Sequence, residues 1–267
     1  MRTRFMGVML SGLLLSGAAL AQQAQSAFGP GEQALYRVRY LGLPAGSAQV
    51  TVGAPMTQWG QSVWPIVATA KSDALLGVWP IKSKFVSYWE SGGQRVLGSD
   101  LNSDENNKRR RQRIKLLDNG KRAEVVKQKE AEAPREFTHE LPEGTIDVAG
   151  ATFALRNREL EVGKEYSYPV FTGSKAFTMR AIVEAKETLD TPLGVREAFR
   201  MRISTSFGGK MEAKRDMVAW LTTDSSHVPV RIEADFAVGT VVAEITQYKQ
   251  GRATAMTEAP SSTTAQR

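Results

Sequence analysis

Apolar and polar residues alternate with a period of two along most of this chain. In Leu35-Tyr36-Arg37-Val38-Arg39-Tyr40-Leu41, apolar and aromatic residues take turns with arginines, and over 47–52, Ala48, Val50 and Val52 take turns with Ser47, Gln49 and Thr51. Successive side chains of a strand point to opposite faces, so this pattern predicts strands with one wet face. Comparable runs fall at 64–70, 84–90, 113–117, 166–170, 177–185, 198–205, 216–221, 230–237 and 240–247. Turn-forming residues separate them, among them Leu43-Pro44-Ala45-Gly46, Gly92-Gly93, Asp118-Asn119-Gly120, Thr172-Gly173-Ser174, Gly208-Gly209 and Asp224-Ser225-Ser226. Many short strands at this spacing predict an all-β, mainly antiparallel fold, one large curved sheet forming a roll, half-barrel or sandwich. Little helix is expected, with 72–76 and 149–155 as the best short candidates.

The two ends break the pattern. Met1-Arg2-Thr3-Arg4 is basic, 5–15 is an apolar run, and Ala19-Leu20-Ala21 fits the small-x-small cleavage rule. Residues 1–21 therefore read as a signal peptide cleaved after Ala21, and the mature protein as exported and periplasmic. The apolar run is short of the roughly 20 residues of a spanning helix, no cysteine follows it to carry a lipid, and no later segment is apolar enough to cross a bilayer. Residues 22–27 read as a flexible leader and 252–267 as a disordered tail without large apolar residues. Between them, 28–251 reads as a single β domain. The chain has no cysteine, which excludes thiol nucleophiles, redox pairs and cysteine zinc sites.

Three segments carry a family resemblance. The first is Phe28-Gly29-Pro30-Gly31-Glu32 with Tyr36, Tyr40 and Gly46. The second is Asp147-Val148-Ala149-Gly150-Ala151-Thr152-Phe153-Ala154-Leu155-Arg156 with Leu160, Gly163 and Tyr166. The third is Thr191-Pro192-Leu193-Gly194, then Trp220-Leu221-Thr222-Thr223-Asp224, Pro229-Val230-Arg231 and Gly239. In this order and spacing, over about residues 28–248, the chain resembles the DUF3108 family, a domain of unknown function in exported bacterial proteins. The resemblance implies an envelope location and a β-rich fold, and it brings no established activity. Physically, Pro192-Leu193-Gly194 suits a tight turn, Asp224 a side-chain cap of the next turn, and Pro229 a strand start.

Charge sharpens the picture in one place. The formal net charge is +7, and residues 104–135 hold eleven Lys/Arg against six Asp/Glu. In the extended run Lys108-Arg109-Arg110-Arg111-Gln112-Arg113-Ile114-Lys115, alternation would put Arg109, Arg111, Arg113 and Lys115 in one basic row. Outside the cytoplasm the abundant anions are lipid headgroups, so these four are the candidate contacts to an anionic head. A solvated hairpin protruding from the sheet is the plain alternative. Export and the lack of interleaved aromatic residues argue against nucleic acid.

Catalytic chemistry finds little support. His139 begins an H-E pattern that no second histidine completes, and His227 lies in a turn. No G-x-S-x-G elbow is present, and the carboxylates of 104–135 lie in a charged run that would not separate their pKa values. No catalytic, metal or cofactor-binding residue is therefore assigned. The expected function is non-enzymatic binding of an amphiphile or lipid in the envelope. The alternatives are an assembly factor that binds another envelope protein and, third, an enzyme acting on glycan or lipid.

Overall fold

A computed structural model of the chain describes residues 26–72, 80–93, 95–206, 216–236 and 239–252. The alternating segments form strands. β1 (Gln33–Tyr40) and β2 (Leu43–Val52) make the first hairpin, and a short β3 (Met56–Gln58) folds onto β4 (Gln61–Ser72). A meander follows through β5 (Ile81–Glu90), β6 (Val96–Glu105), β7 (Lys108–Leu117), β8 (Arg122–Lys129) and β9 (Arg135–Glu140). After helix α1 (Val148–Arg156) come β10 (Glu165–Phe171), β11 (Ala176–Thr191), β12 (Gly194–Ser206), β13 (Met217–Thr222), β14 (Pro229–Phe236) and β15 (Gly239–Lys249). All belong to one antiparallel sheet of order β10-β11-β12-β13-β14-β15-β1-β2-β4-β5-β6-β7-β8-β9, with β3 on β4 alone.

The sheet curls until its two ends meet. Ile146, just past β9, bridges Val170 of β10, donating to Pro169 O at 3.0 Å and accepting from Phe171 N–H at 2.9 Å. The Gln112 amide donates to Thr172 O at 2.9 Å and Lys127 Nζ to Ser174 Oγ at 2.6 Å across the same seam. The expected curved antiparallel sheet is thus a nearly closed curl.

Period-two alternation decides what lies inside. Val52, Ile66, Ile114 and Val125 from one half of the sheet meet Val170, Val183, Met201 and Leu221 from the other in one core. Each such side chain contributes about 1.5–3 kcal/mol by leaving water. α1 plugs one end of the curl. Asp147 caps it by accepting from Gly150 N–H at 2.7 Å, which satisfies one of the donors a helix start leaves open. Phe153 meets the Phe28 ring edge-on at 4.6 Å, and Phe28 in turn meets Trp89 at 5.3 Å and Trp64 at 6.1 Å.

Several expectations change here. The basic stretch is not a hairpin standing off the sheet: β6, β7 and β8 lie within the strand order, and Ile114, Leu116, Ala123 and Val125 anchor them in the core. Ser72 ends a strand, and 73–76 lie outside the described residues, as do residues 1–25 with Ala19 and Ala21, the expected Gly208-Gly209 turn, and the tail beyond Arg252. Ser26 and Ala27, the end of the segment read as a leader, are tied down: Ala27 N–H donates to Asn157 Oδ1 at 2.8 Å. The helix expected at 149–155 is α1.

Candidate anionic-ligand site

The charge sits on the face turned away from the core. Register builds it as two rows across six strands. One runs Arg37, Ser47, Lys71, Lys82, Asp104, Arg109, and the next runs Leu35, Gln49, Thr69, Lys84, Asn102, Arg111. With neighbouring strands about 4.8 Å apart, the rows span roughly 24 Å. Together they line a trough of about 860 Å³ whose walls carry six cations, Arg37, Lys71, Lys82, Lys84, Arg109 and Arg111, against one carboxylate, Asp104.

Most of these cations lack an acid. Arg109 reaches Asp104 at 3.4 Å while remaining 80% exposed, and Arg37 reaches Glu244 at 3.7 Å. Among the described residues, Lys71, Lys82, Lys84 and Arg111 have no carboxylate within ion-pair distance. Lys71 and Lys82 are moreover direct cross-strand partners, a placement in which like charges destabilise a sheet. An anion laid across the rows would relieve that repulsion.

The four residues of the expected basic row separate. Arg109 and Arg111 line the trough. Arg113 is held by Asp100, Nε to Oδ1 at 2.9 Å, and Asp100 Oδ2 also accepts from the Tyr88 hydroxyl at 2.8 Å. Burial, aided by that hydrogen bond, pushes the Tyr88 phenol up to about 12. Arg113 and Arg111 border a second hollow of about 450 Å³. Lys115 pairs with Gly98 in the register and lies outside the trough. Sequence reasoning missed Arg37, Lys71, Lys82 and Lys84. Their only signal is that each holds a polar place in an alternating strand.

Elsewhere several ionisable groups are engaged in holding the fold. Arg156, 2% exposed, forms a forked pair with Glu32 at 2.7 and 3.1 Å and donates to Ser226 O at 3.0 Å. This clasp ties the start of the chain, α1 and the β13–β14 turn together. That turn gathers Asp224, Ser226 and His227, but Ser226 Oγ donates to Asp224 and His227 Nδ1 meets Arg156 O at 2.8 Å. The serine proton therefore goes to the carboxylate and not to the imidazole, which is not the order of a nucleophilic triad. His139 lies against the Phe171 ring at 5.0 Å. Among the described residues no three His, Cys, Asp or Glu side chains could together hold a metal ion, and no helix is long and apolar enough to cross a membrane.

Comparison with known proteins agrees with the fold. The model of the family "Protein of unknown function (DUF3108)" matches residues 35–246. No curated protein matches the chain. Among solved structures, a beta-barrel-like protein of the domain of unknown function DUF1849 from Brucella abortus superposes with a TM-score of 0.54 at 9% identity, over 82% of this chain and 97% of that one. A Bacteroides fragilis protein with a YmcC-like fold gives 0.35 at 10% identity, over 84% of this chain and 99% of that one.

Proposed function

The chain belongs to the DUF3108 family, whose description assigns no activity, and from the geometry of its sheet we propose that it is an exported, non-enzymatic binder of an anionic amphiphile in the cell envelope. The observation that carries the reading is the trough, with six cations and one carboxylate, four of the cations having no acid partner among the described residues. Catalysis would call for acid and base groups held in contrasting environments, whereas the trough offers a run of like charges. That arrangement suits recognition of a charged head.

The head alone fits this surface. The interior of the curl is occupied by the protein's own side chains, with Trp89, Ile66, Leu155, Met201 and Leu221 less than 2% exposed. Between its charged and polar residues the trough is lined by Leu35, Tyr36, Ala48 and Ala70. The amphiphile's apolar chains therefore stay outside the core. A lysine or arginine near an anionic headgroup contributes about 1 kcal/mol, so four unpaired cations give about 4 kcal/mol.

The test is a calorimetric titration with water-soluble short-chain phosphatidylglycerol and, separately, short-chain phosphatidylcholine. The anionic lipid should bind more tightly. The double variant Lys71→Ser/Lys82→Ser should weaken it by about thirtyfold, two contacts' worth. Equal affinity for the two lipids, or an unaltered affinity in the variant, would remove the trough from the account.

A further inference from the structure

The strand ends nearest the trough carry a second feature, different in chemistry. The β1–β2 hairpin turns through Leu41 and Gly42, with φ of 50° and 80°. Two left-handed residues in succession make the hairpin turn that favours Asn-Gly or Gly-Gly. The β6–β7 hairpin, two strands further along the sheet, uses Asn106 and Asn107 there, at φ 52° and 63°. Leucine in the left-handed region is an outlier, and a disfavoured backbone held at a surface position points to use. Leu41 rests on Gly239 and is still 61% exposed, while Leu43 is 57% and Ile81 39% exposed.

Topology puts these three at one end of the molecule. The β1–β2 turn, the start of β5 and the β6–β7 turn all lie at the end of the curl away from α1, and Asn106 N–H donates to Pro80 O at 2.8 Å. β2 runs three residues past Gly46, the register partner of Ser72, so Leu43 projects roughly 10 Å beyond that point. Arg39, Lys82 and Lys108 flank the apolar tips; Asp104 and Glu105 are the cross-strand partners of Lys82 and Lys108, but among the described residues none of the three cations has a carboxylate within ion-pair distance. At the opposite end, Val162 and Val195 are also exposed, beside the ion pairs Lys164–Glu161 at 2.6 Å and Lys186–Glu197 at 3.0 Å and beside Arg196, which donates to Val195 O.

We infer that this end docks on the surface of an anionic lipid leaflet, with Leu41, Leu43 and Ile81 entering the headgroup–acyl boundary and Arg39, Lys82 and Lys108 meeting the charge around them. Apolar tips flanked by more cations than carboxylates are the composition that an anionic interface holds, because apolar burial and headgroup attraction act together. The inference goes beyond the headgroup reading by fixing the orientation of the molecule: the trough faces heads whose chains remain in the leaflet. It stands even if the trough takes no lipid.

The experiment is cosedimentation with vesicles of equal parts phosphatidylglycerol and phosphatidylcholine, and with pure phosphatidylcholine, using the wild-type protein and a Leu41→Asn/Leu43→Gln variant. The wild type should bind the mixed vesicles and not the neutral ones. The variant should lose about tenfold or more in affinity. Because asparagine suits the turn better than leucine, the Leu41→Asn single variant should melt no lower than the wild type, so lost binding would not be lost folding. Titration of the double variant with short-chain phosphatidylglycerol, which the trough alone would bind, should be unaltered. Equal vesicle binding by variant and wild type, or equal binding to neutral vesicles, overturns the docking surface. Failure of the short-chain lipid to bind the wild type would instead strike the trough and leave the docking result standing.

Discussion

At the level of single residues, the ionisable groups divide by burial. The Arg156–Glu32 pair is buried and forked, and breaking such a pair leaves an uncompensated charge in the core. Asp147, buried beside Ser87 at the helix start, pulls the other way. Burial pushes its carboxyl up to about 6 from 3.8, against the Gly150 hydrogen bond that draws it down. An acid whose folded pKa lies above its unfolded one binds its proton more tightly when folded. The contribution of Asp147 to stability is therefore greatest below about 4 and is lost as pH rises through about 6. Asp147→Asn keeps the acceptor for Gly150 N–H and removes the titration. Relative to the wild type, the variant should gain about 3 kcal/mol in urea unfolding on going from about pH 4 to about pH 7. A difference that stays flat or shrinks would contradict the buried-acid account. The short helix was legible in the sequence at 149–155. The cap that Asp147 gives it went unread, and the burial of that carboxyl depends on β5 packing over the helix.

Among the elements, the strands were readable and their register was not. Period-two alternation marks β1, β2 and β4 through the apolar positions that reach the core, such as Tyr36, Val52 and Ile66. Which residue faces which across six strands depends on hairpin turns and on bulges, such as the shift between Val38 and Arg39 that skips Ala45. The contiguous run 108–115 drew attention because it is dense in sequence. Lys71 and Lys82 are isolated in sequence and adjacent in the sheet. Once they are cross-strand partners, their repulsion carries a consequence for stability. Lys71→Thr should raise the unfolding free energy by a few tenths to about 1 kcal/mol while weakening anion binding. A loss of stability in that variant would mean that the pair is already relieved within the protein, and the argument for an external anion would weaken.

For the whole molecule, the curl has two unlike ends. α1, Phe28, Trp64, Trp89 and the Arg156 clasp close one end. The other carries apolar hairpin tips beside two cationic rows. The family resemblance was legible over about residues 28–248 and agrees with the matched residues 35–246, and its segments fall on turns and on α1. The polarity between the ends was hidden, since it arises only when hairpin tips distant in sequence are gathered together. The measurement that bears most directly on the central claim is backbone-amide chemical-shift mapping during titration with short-chain phosphatidylglycerol. The account predicts shifts concentrated at Arg37, Ser47, Lys71, Lys82, Lys84 and Arg111, with α1 and the Arg156 clasp silent. Shifts centred elsewhere, or none at lipid concentrations that saturate comparable headgroup binders, would contradict it.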